Sequence, residues 1–211
     1  MIHKDTNLEV YLTRHAESVA NQSPHIVAGR SSESPLSEKG QQQARRLGKV
    51  LKQDAPFDAV FTSPLLRSSE TCKIACEEAG VIIEAEVAKE IEEFTQGDWE
   101  GAERKDLYSG DRLTYIEAKG YLLTPPNGES QRMVERRVSN WFEDKILYNE
   151  SYIGSPKKVL VFTHGLVIKC FLHYVMHFDD RFIHRVRLDN ASVTKLRFTS
   201  RGWFIDYINR S

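Results

Sequence analysis

A three-layer α/β/α sandwich around a mostly parallel sheet is the fold class this sequence predicts, and three observations carry it. Short apolar runs alternate with longer segments whose apolar residues recur at helical spacing. The run KKVLVFT at residues 157–163 has the continuous apolar character of a strand buried on both faces. Near the end of the chain, runs at 192–199 and 203–208 are joined by Ser200, Arg201 and Gly202, the spacing of an antiparallel hairpin.

The elements follow in order. Residues 8–13 (LEVYLT) form the first strand, and a loop with Pro24, Gly29, Ser31, Ser32 and Pro35 follows. Ser37 caps a helix to about residue 53, whose apolar stripe is Ala44, Leu47, Val50 and Leu51. Residues 58–62 (DAVFT) are the second strand. Ser63-Pro64 then reads as an N-cap with proline at the first helical position, opening a helix that Gly80 ends. A short third strand is expected at 81–86. Residues 87–128 are the least regular, with five glycines and the Pro125-Pro126 pair. A helix from 129 to about 148 carries Met133, Val134, Val138, Trp141 and Phe142. The strand at 157–163 leads into a helix over 166–177.

Composition excludes several classes. The 211 residues include 29 Lys and Arg against 30 Asp and Glu, so no global field draws in nucleic acid or an anionic membrane. The longest unbroken apolar runs are four residues, too short to span a bilayer. The first five residues turn charged at once and hold no apolar signal core, so the expectation is an unprocessed cytoplasmic chain forming a single domain over 1–211. Three cysteines, Cys72, Cys76 and Cys170, are too few for a disulfide framework and read as small core residues.

Three strand ends carry the chemistry. The first runs into Arg14-His15, the second into Ser63-Pro64-Leu65-Leu66-Arg67, and the strand at 157–163 into His164-Gly165. In a parallel sheet these ends share one edge, where ligands of open α/β sheets bind and helix amino ends add oriented N–H groups. Two arginines and two histidines there make a pocket for a small dianion, and a phosphoryl group suits the guanidinium fork best. Neither glycine-rich phosphate loop is present, so side chains must provide the grip. His173 and His177, four apart, have a possible metal-ligand spacing, but no third ligand is in view and they read as exposed or core-edge residues.

Taken together, these stretches resemble the histidine phosphatase superfamily, the phosphoglycerate mutase-like fold. The segment 12–18 (LTRHAES) with Asn21 is similar to its opening R-H-G motif, and 34–40 (SPLSEKG) with Gln43-Ala44 to its helix entry. Residues 63–71 (SPLLRSSET) resemble S-P-L-x-R-x-x-Q-T, residues 93–101 (EFTQGDWEG) resemble E-x-x-x-G-x-W-E-G, and 126–130 (PNGES) the P-x-G-E-S helix start. Thr163-His164-Gly165 matches the second histidine, and the ordered set covers about 8–196. Ala16 replaces the usual glycine, Gln96 stands where an aromatic is common, and Glu70 stands for glutamine.

The resemblance implies a metal-independent phosphoric monoester hydrolase without cofactor. His15 would be the nucleophile, forming a phosphohistidine, and its second ring nitrogen would be oriented by a backbone carbonyl. Arg14, Asn21, Arg67, His164 and Gly165 would bind the phosphoryl group, with Arg14, Arg67 and His164 also stabilising the transition state. His164 would donate as an imidazolium, a form that the phosphate dianion favours. Among Glu90, Glu92 and Glu93, register against Gly97 selects Glu93 as proton donor, with Glu92 the fallback. The segment at about 102–128 would be a small lid. Mutases of the superfamily are expected to be longer there, so a phosphatase acting on a small phosphorylated metabolite is preferred, as a monomer or homodimer. A mutase-type phosphotransferase, a non-catalytic binder of a phosphorylated partner and, last, a metal hydrolase are the alternatives.

Overall fold

The computed structural model describes residues 5–211; residues 1–4, with His3 and the charged amino-terminal stretch, lie outside the described residues. Six strands form one sheet in the order β3-β2-β4-β1-β5-β6. β1 (Leu8–Arg14), β2 (Ala59–Thr62), β3 (Glu86–Val87) and β4 (Lys157–Thr163) are parallel. β5 (Val193–Thr199) runs antiparallel to β1, and β6 (Gly202–Arg210) pairs with β5 as the expected hairpin.

Alternation along the strands builds two cores. Val10, Leu12, Val159 and Val161 point to one face, where α5 (Gln131–Phe142) and α6 (Gly165–Met176) bring Val134, Val138, Phe142, Ile168 and Phe171. Tyr11, Leu160 and Phe162 point to the other, against Ala44, Leu47 and Leu51 of α1 (Glu38–Leu51) and Cys72, Ala75 and Ala79 of α2 (Leu66–Ala79). The three cysteines are free and buried. No helix among the described residues is long and apolar enough to cross a membrane.

Three boundaries differ from the sequence expectation. The third strand is only Glu86–Val87, because residues 81–85 carry no ladder to β2. The helix after β2 starts at Leu66, not at Pro64, with Leu65 at the N-cap; the Ser63 hydroxyl accepts from Leu65 N–H and also meets His164 Nε2. The long helix begins at Gln131, capped by the Ser130 hydroxyl accepting from Met133 N–H, and its α-geometry ends at Phe142 in a π-turn over Glu143–Leu147.

Between β3 and α5 the chain forms α3 (Arg104–Leu107) and α4 (Gly110–Lys119). Both ends of this segment are stapled. Val27 and Arg104 donate to Ala102 and His25 carbonyls, and Gly101 donates to Val27. At the other end, Asp98 and Glu129 donate to the carbonyls of Pro126 and Thr95.

Candidate active site

The carboxyl ends of β1, β2 and β4 meet as the sequence predicts. His15 N–H donates to the Thr163 carbonyl, and its own carbonyl accepts from Ala191 N–H and Asn190 Nδ2. The next residue, Ala16, donates to the Thr71 hydroxyl, which is bonded to the Arg67 carbonyl. Ala16 is fully buried and does not take a positive φ, so alanine replaces the usual glycine here without backbone strain. The turn after β1 is thereby fixed to β4, to α2 and to the loop before β5.

This turn orients the imidazole. His15 Nδ1 lies 2.7 Å from the Ala16 carbonyl, an acceptor, so Nδ1 carries the ring hydrogen and Nε2 keeps its lone pair. Nε2 accepts from Arg67 Nε at 3.2 Å. Burial, with Arg67 and Arg14 nearby, holds the His15 pKa well below its ordinary value, so the ring is neutral at pH 7.

A cavity of about 200 Å³ opens in front of this ring, walled by Arg14, His15, Asn21, Arg67, Glu93 and eight further residues including Arg104 and Gln96. Arg67 is held by the Arg30 and Ser31 carbonyls, and Ser31 adopts φ +37° to present its own. Arg14 anchors one end on the Leu188 carbonyl, while its Nε is buried without a partner. Asn21 uses its carbonyl to cap Ser18 N–H, leaving its amide hydrogens as the free donor end. A charge-bearing ligand is the natural complement of donors arranged in this way.

His164 and Gly165 do not line that cavity. His164 is fully buried beside His15, with ring centroids 5.1 Å apart, and its Nε2 meets the Ser63 hydroxyl at 2.8 Å. Its Nδ1 is buried with no partner. Burial, His15, Arg67 and Arg14 lower its pKa, so with the site empty it is neutral, and the expected imidazolium needs the dianion beside it. Gly165 opens α6 against Arg14; a Cβ there would stand 3.2 Å from Arg14 Nε.

The glutamates separate cleanly. Glu90 is exposed, and Glu92 is paired with Arg30 at 3.2 Å. Glu93 lines the cavity and accepts from Phe94 N–H; burial raises its pKa, opposed in part by Arg67, Arg14 and Arg137. Arg30 and Arg137 donate to the Glu93 carbonyl and are both tied to Glu129, which fixes the backbone beneath that carboxyl. Glu100 accepts from Thr95 Oγ1 and Gln96 N–H and so braces the loop from outside the cavity.

Sequence reasoning missed Ser63 as the partner of His164, and Arg30, Asn190 and Thr71 as supports. Only Ser63 carried a signal, its place directly at a strand end. Among the described residues no cluster of three His, Cys, Asp or Glu side chains is spaced to hold a metal ion. His173 is bound between Glu135 and Asp180, and His177 ends α6 in a left-handed conformation.

Residues 10–211 match the family model of the histidine phosphatase superfamily, branch 1. The chain belongs to that superfamily. A 2,3-bisphosphoglycerate-dependent phosphoglycerate mutase of Parvibaculum lavamentivorans is 33% identical over 161 residues, 73% of each chain. An adenosylcobalamin/alpha-ribazole phosphatase of Salmonella typhimurium is 34% identical over 139 residues, 64% of this chain and 65% of its own. In structure, a mycobacterial glucosyl-3-phosphoglycerate phosphatase superposes with a TM-score of 0.79 at 22% identity, covering 97% of this chain and all of its own. The superfamily thus includes mutases and phosphatases among these relatives. Because 161 residues are 73% of both chains, the matched mutase is about as long as this protein, and the expected difference in length does not separate the two activities.

Proposed function

We propose that this protein is a phosphatase that hydrolyses phosphate monoesters through a phosphohistidine on His15, with Glu93 as the proton donor. The observation that carries the reading is the His15 ring itself: Nδ1 is committed to a carbonyl at 2.7 Å, and Nε2 has a lone pair in a cavity that also holds two guanidinium groups and the Glu93 carboxyl. Attack by Nε2 on phosphorus breaks the bond to the ester oxygen, and the Glu93 carboxylic acid protonates the departing alkoxide. Water then attacks the phosphohistidine, Glu93 takes its proton, and the P–N bond breaks to release phosphate and restore the ring. Arg14, Arg67, Asn21 and His164, with Gly165 N–H at the start of α6, stabilise the phosphoryl oxygens through both steps.

Hydrolysis is favoured over mutase chemistry by charge. A bisphosphoglycerate carries two phosphates and a carboxylate, whereas the cavity beyond Arg14 and Arg67 adds only Arg104 as a full positive charge. The mutase reading is the second one, supported by the sequence relatives. The substrate on this proposal is a small phosphorylated metabolite of the cytoplasm, where three free thiols persist. The protein would act as a single domain, monomeric or homodimeric, with residues 102–128 as a lid.

Phosphate release from an aryl phosphate in excess chelator, with wild type and His15→Ala side by side, tests the reading. Release by the wild type alone, together with an acid-labile, base-stable phosphoenzyme, supports it. Transfer of phosphate to phosphoglycerate without release establishes the mutase, and release that chelator abolishes establishes a metal hydrolase.

A further inference from the structure

A second cavity of about 280 Å³ adjoins the first, and Phe94, Gln96, Arg104 and Leu166 line both. Its remaining wall is largely apolar: Trp99, Tyr108, Ile116, Leu123 and Pro125, drawn from the segment stapled over the sheet edge. Trp99 and Tyr108 meet edge to face at 6.5 Å, and Tyr108 hydroxyl donates to Gln96 Oε1, the residue standing where an aromatic is common.

Resting on the phosphatase reading, we propose that this second cavity seats the alcohol of the substrate, and that this alcohol is an uncharged aromatic or bulky apolar group, not a small carboxylate-bearing acid. Position is the first argument. An ester whose phosphoryl group lies among Arg14, His15 and Arg67 must send its alcohol past Glu93, the proposed proton donor, and the wall shared at Phe94 and Gln96 leads from there into this space. Charge is the second. Among the residues lining the second cavity only Arg104 bears a full charge, and it stands at the shared wall with its guanidinium 5.8 Å from the Tyr108 ring centre. His184, at the rim, has its pKa lowered by partial desolvation and by Lys169, which disfavours a second cation there. Lys105 is spent on Glu103 and lines neither cavity. A carboxylate reaching Ile116, Leu123 or Pro125 would lose its water and gain no cation, which is unfavourable. Size is the third. An apolar cavity of about 150 Å³ already holds a benzene ring, so this one admits a larger, two-ring body.

The test uses phosphonates, which bind without turnover. Affinities of naphthylmethylphosphonate, methylphosphonate and phosphonoacetate are measured by titration calorimetry on wild type, Ile116→Glu and Tyr115→Glu. Tyr115 lies beside Ile116 on α4 but is exposed and lines neither cavity. The expected result is binding of the naphthyl probe at least tenfold tighter than the methyl probe. That ratio should be kept in Tyr115→Glu and fall toward one in Ile116→Glu, with phosphonoacetate no better than methylphosphonate. Equal affinities for the naphthyl and methyl probes, preference for phosphonoacetate, or a ratio insensitive to Ile116→Glu overturns the proposal. If His15-dependent phosphate release persists beside such a result, only the assignment of the alcohol falls. If no probe binds the wild type and no phosphate is released, both fall.

Discussion

Glu92 gives its carboxylate to Arg30, whereas its neighbour Glu93 turns into the cavity and is raised in pKa by burial. One is therefore occupied by its ion pair, and the other, on the proposed reading, can hold a proton near the ester oxygen. Replacing Glu93 by Gln should remove both acid and base, lowering turnover of an alkyl phosphate about 10²- to 10⁴-fold. With an aryl phosphate that has a good leaving group, the first step proceeds without the acid while hydrolysis of the phosphohistidine still lacks its base. A pre-steady-state burst and a trapped phosphoenzyme are then expected by rapid quench. Glu92→Gln should cost less than about fivefold, the worth of a part-exposed ion pair. The wild-type rate of phosphoenzyme formation should fall as pH rises through the elevated Glu93 value, a fall that Glu93→Gln abolishes. His15, neutral well below pH 6.5, leaves the acid side open. A larger loss in Glu92→Gln than in Glu93→Gln would reverse the assignment.

At the level of elements, the site depends on loops held at close approach. Gly97 adopts φ +52°, and a Cβ there would stand 2.1 Å from the Pro126 carbonyl oxygen, an atom that cannot swing away. Gly97→Ala combines left-handed strain with a backbone clash and should destabilise the protein by about 2–4 kcal/mol in urea unfolding. It should also raise KM, because Gln96 and Phe94 move with the loop. A neutral effect on both would show that the 95–98 and 125–129 staple is dispensable. The elements legible in the sequence were those with local signals. Ser37 caps α1, Gly80 ends α2 at φ +73°, and alternation in β1 and β4 fixes which residues face each core. Arg14, His15, Asn21, Arg67 and Glu93 meet at one cavity because the parallel topology delivers their strand and helix ends to one edge. Features set by distant partners were not legible. Ser63 meets His164 from 101 positions away, and Arg30 reaches Glu92, Glu93 and Glu129 from a loop with no periodic pattern.

For the whole molecule, the same site opposes stability. His15 is 3% exposed and His164 fully buried, and both have pKa values pushed below the 6.5 of an unfolded chain. Below pH 6.5 the unfolded state therefore binds protons that the empty folded state refuses. Folding stability contributed by these rings is present above pH 6.5 and is lost as pH falls toward their folded values, by up to about 1.4 kcal/mol per pH unit for each ring. Glu93 acts in the opposite sense. Its raised pKa favours the fold below about pH 4.5 and loses that contribution as pH rises through the folded value, offsetting part of the histidine contribution in between. The wild type should thus lose stability on acidification from pH 6.5 to 5, read from urea midpoints at constant m. His164→Gln should make that slope shallower whatever its effect on absolute stability. Saturating phosphate should flatten the wild-type slope as well, since an anion beside His164 lets the folded state take up the proton. An unchanged slope in both experiments would mean that the rings titrate freely in the fold, contrary to their burial. A flattened one would tie the cost of burying two histidines to the ligand that relieves it.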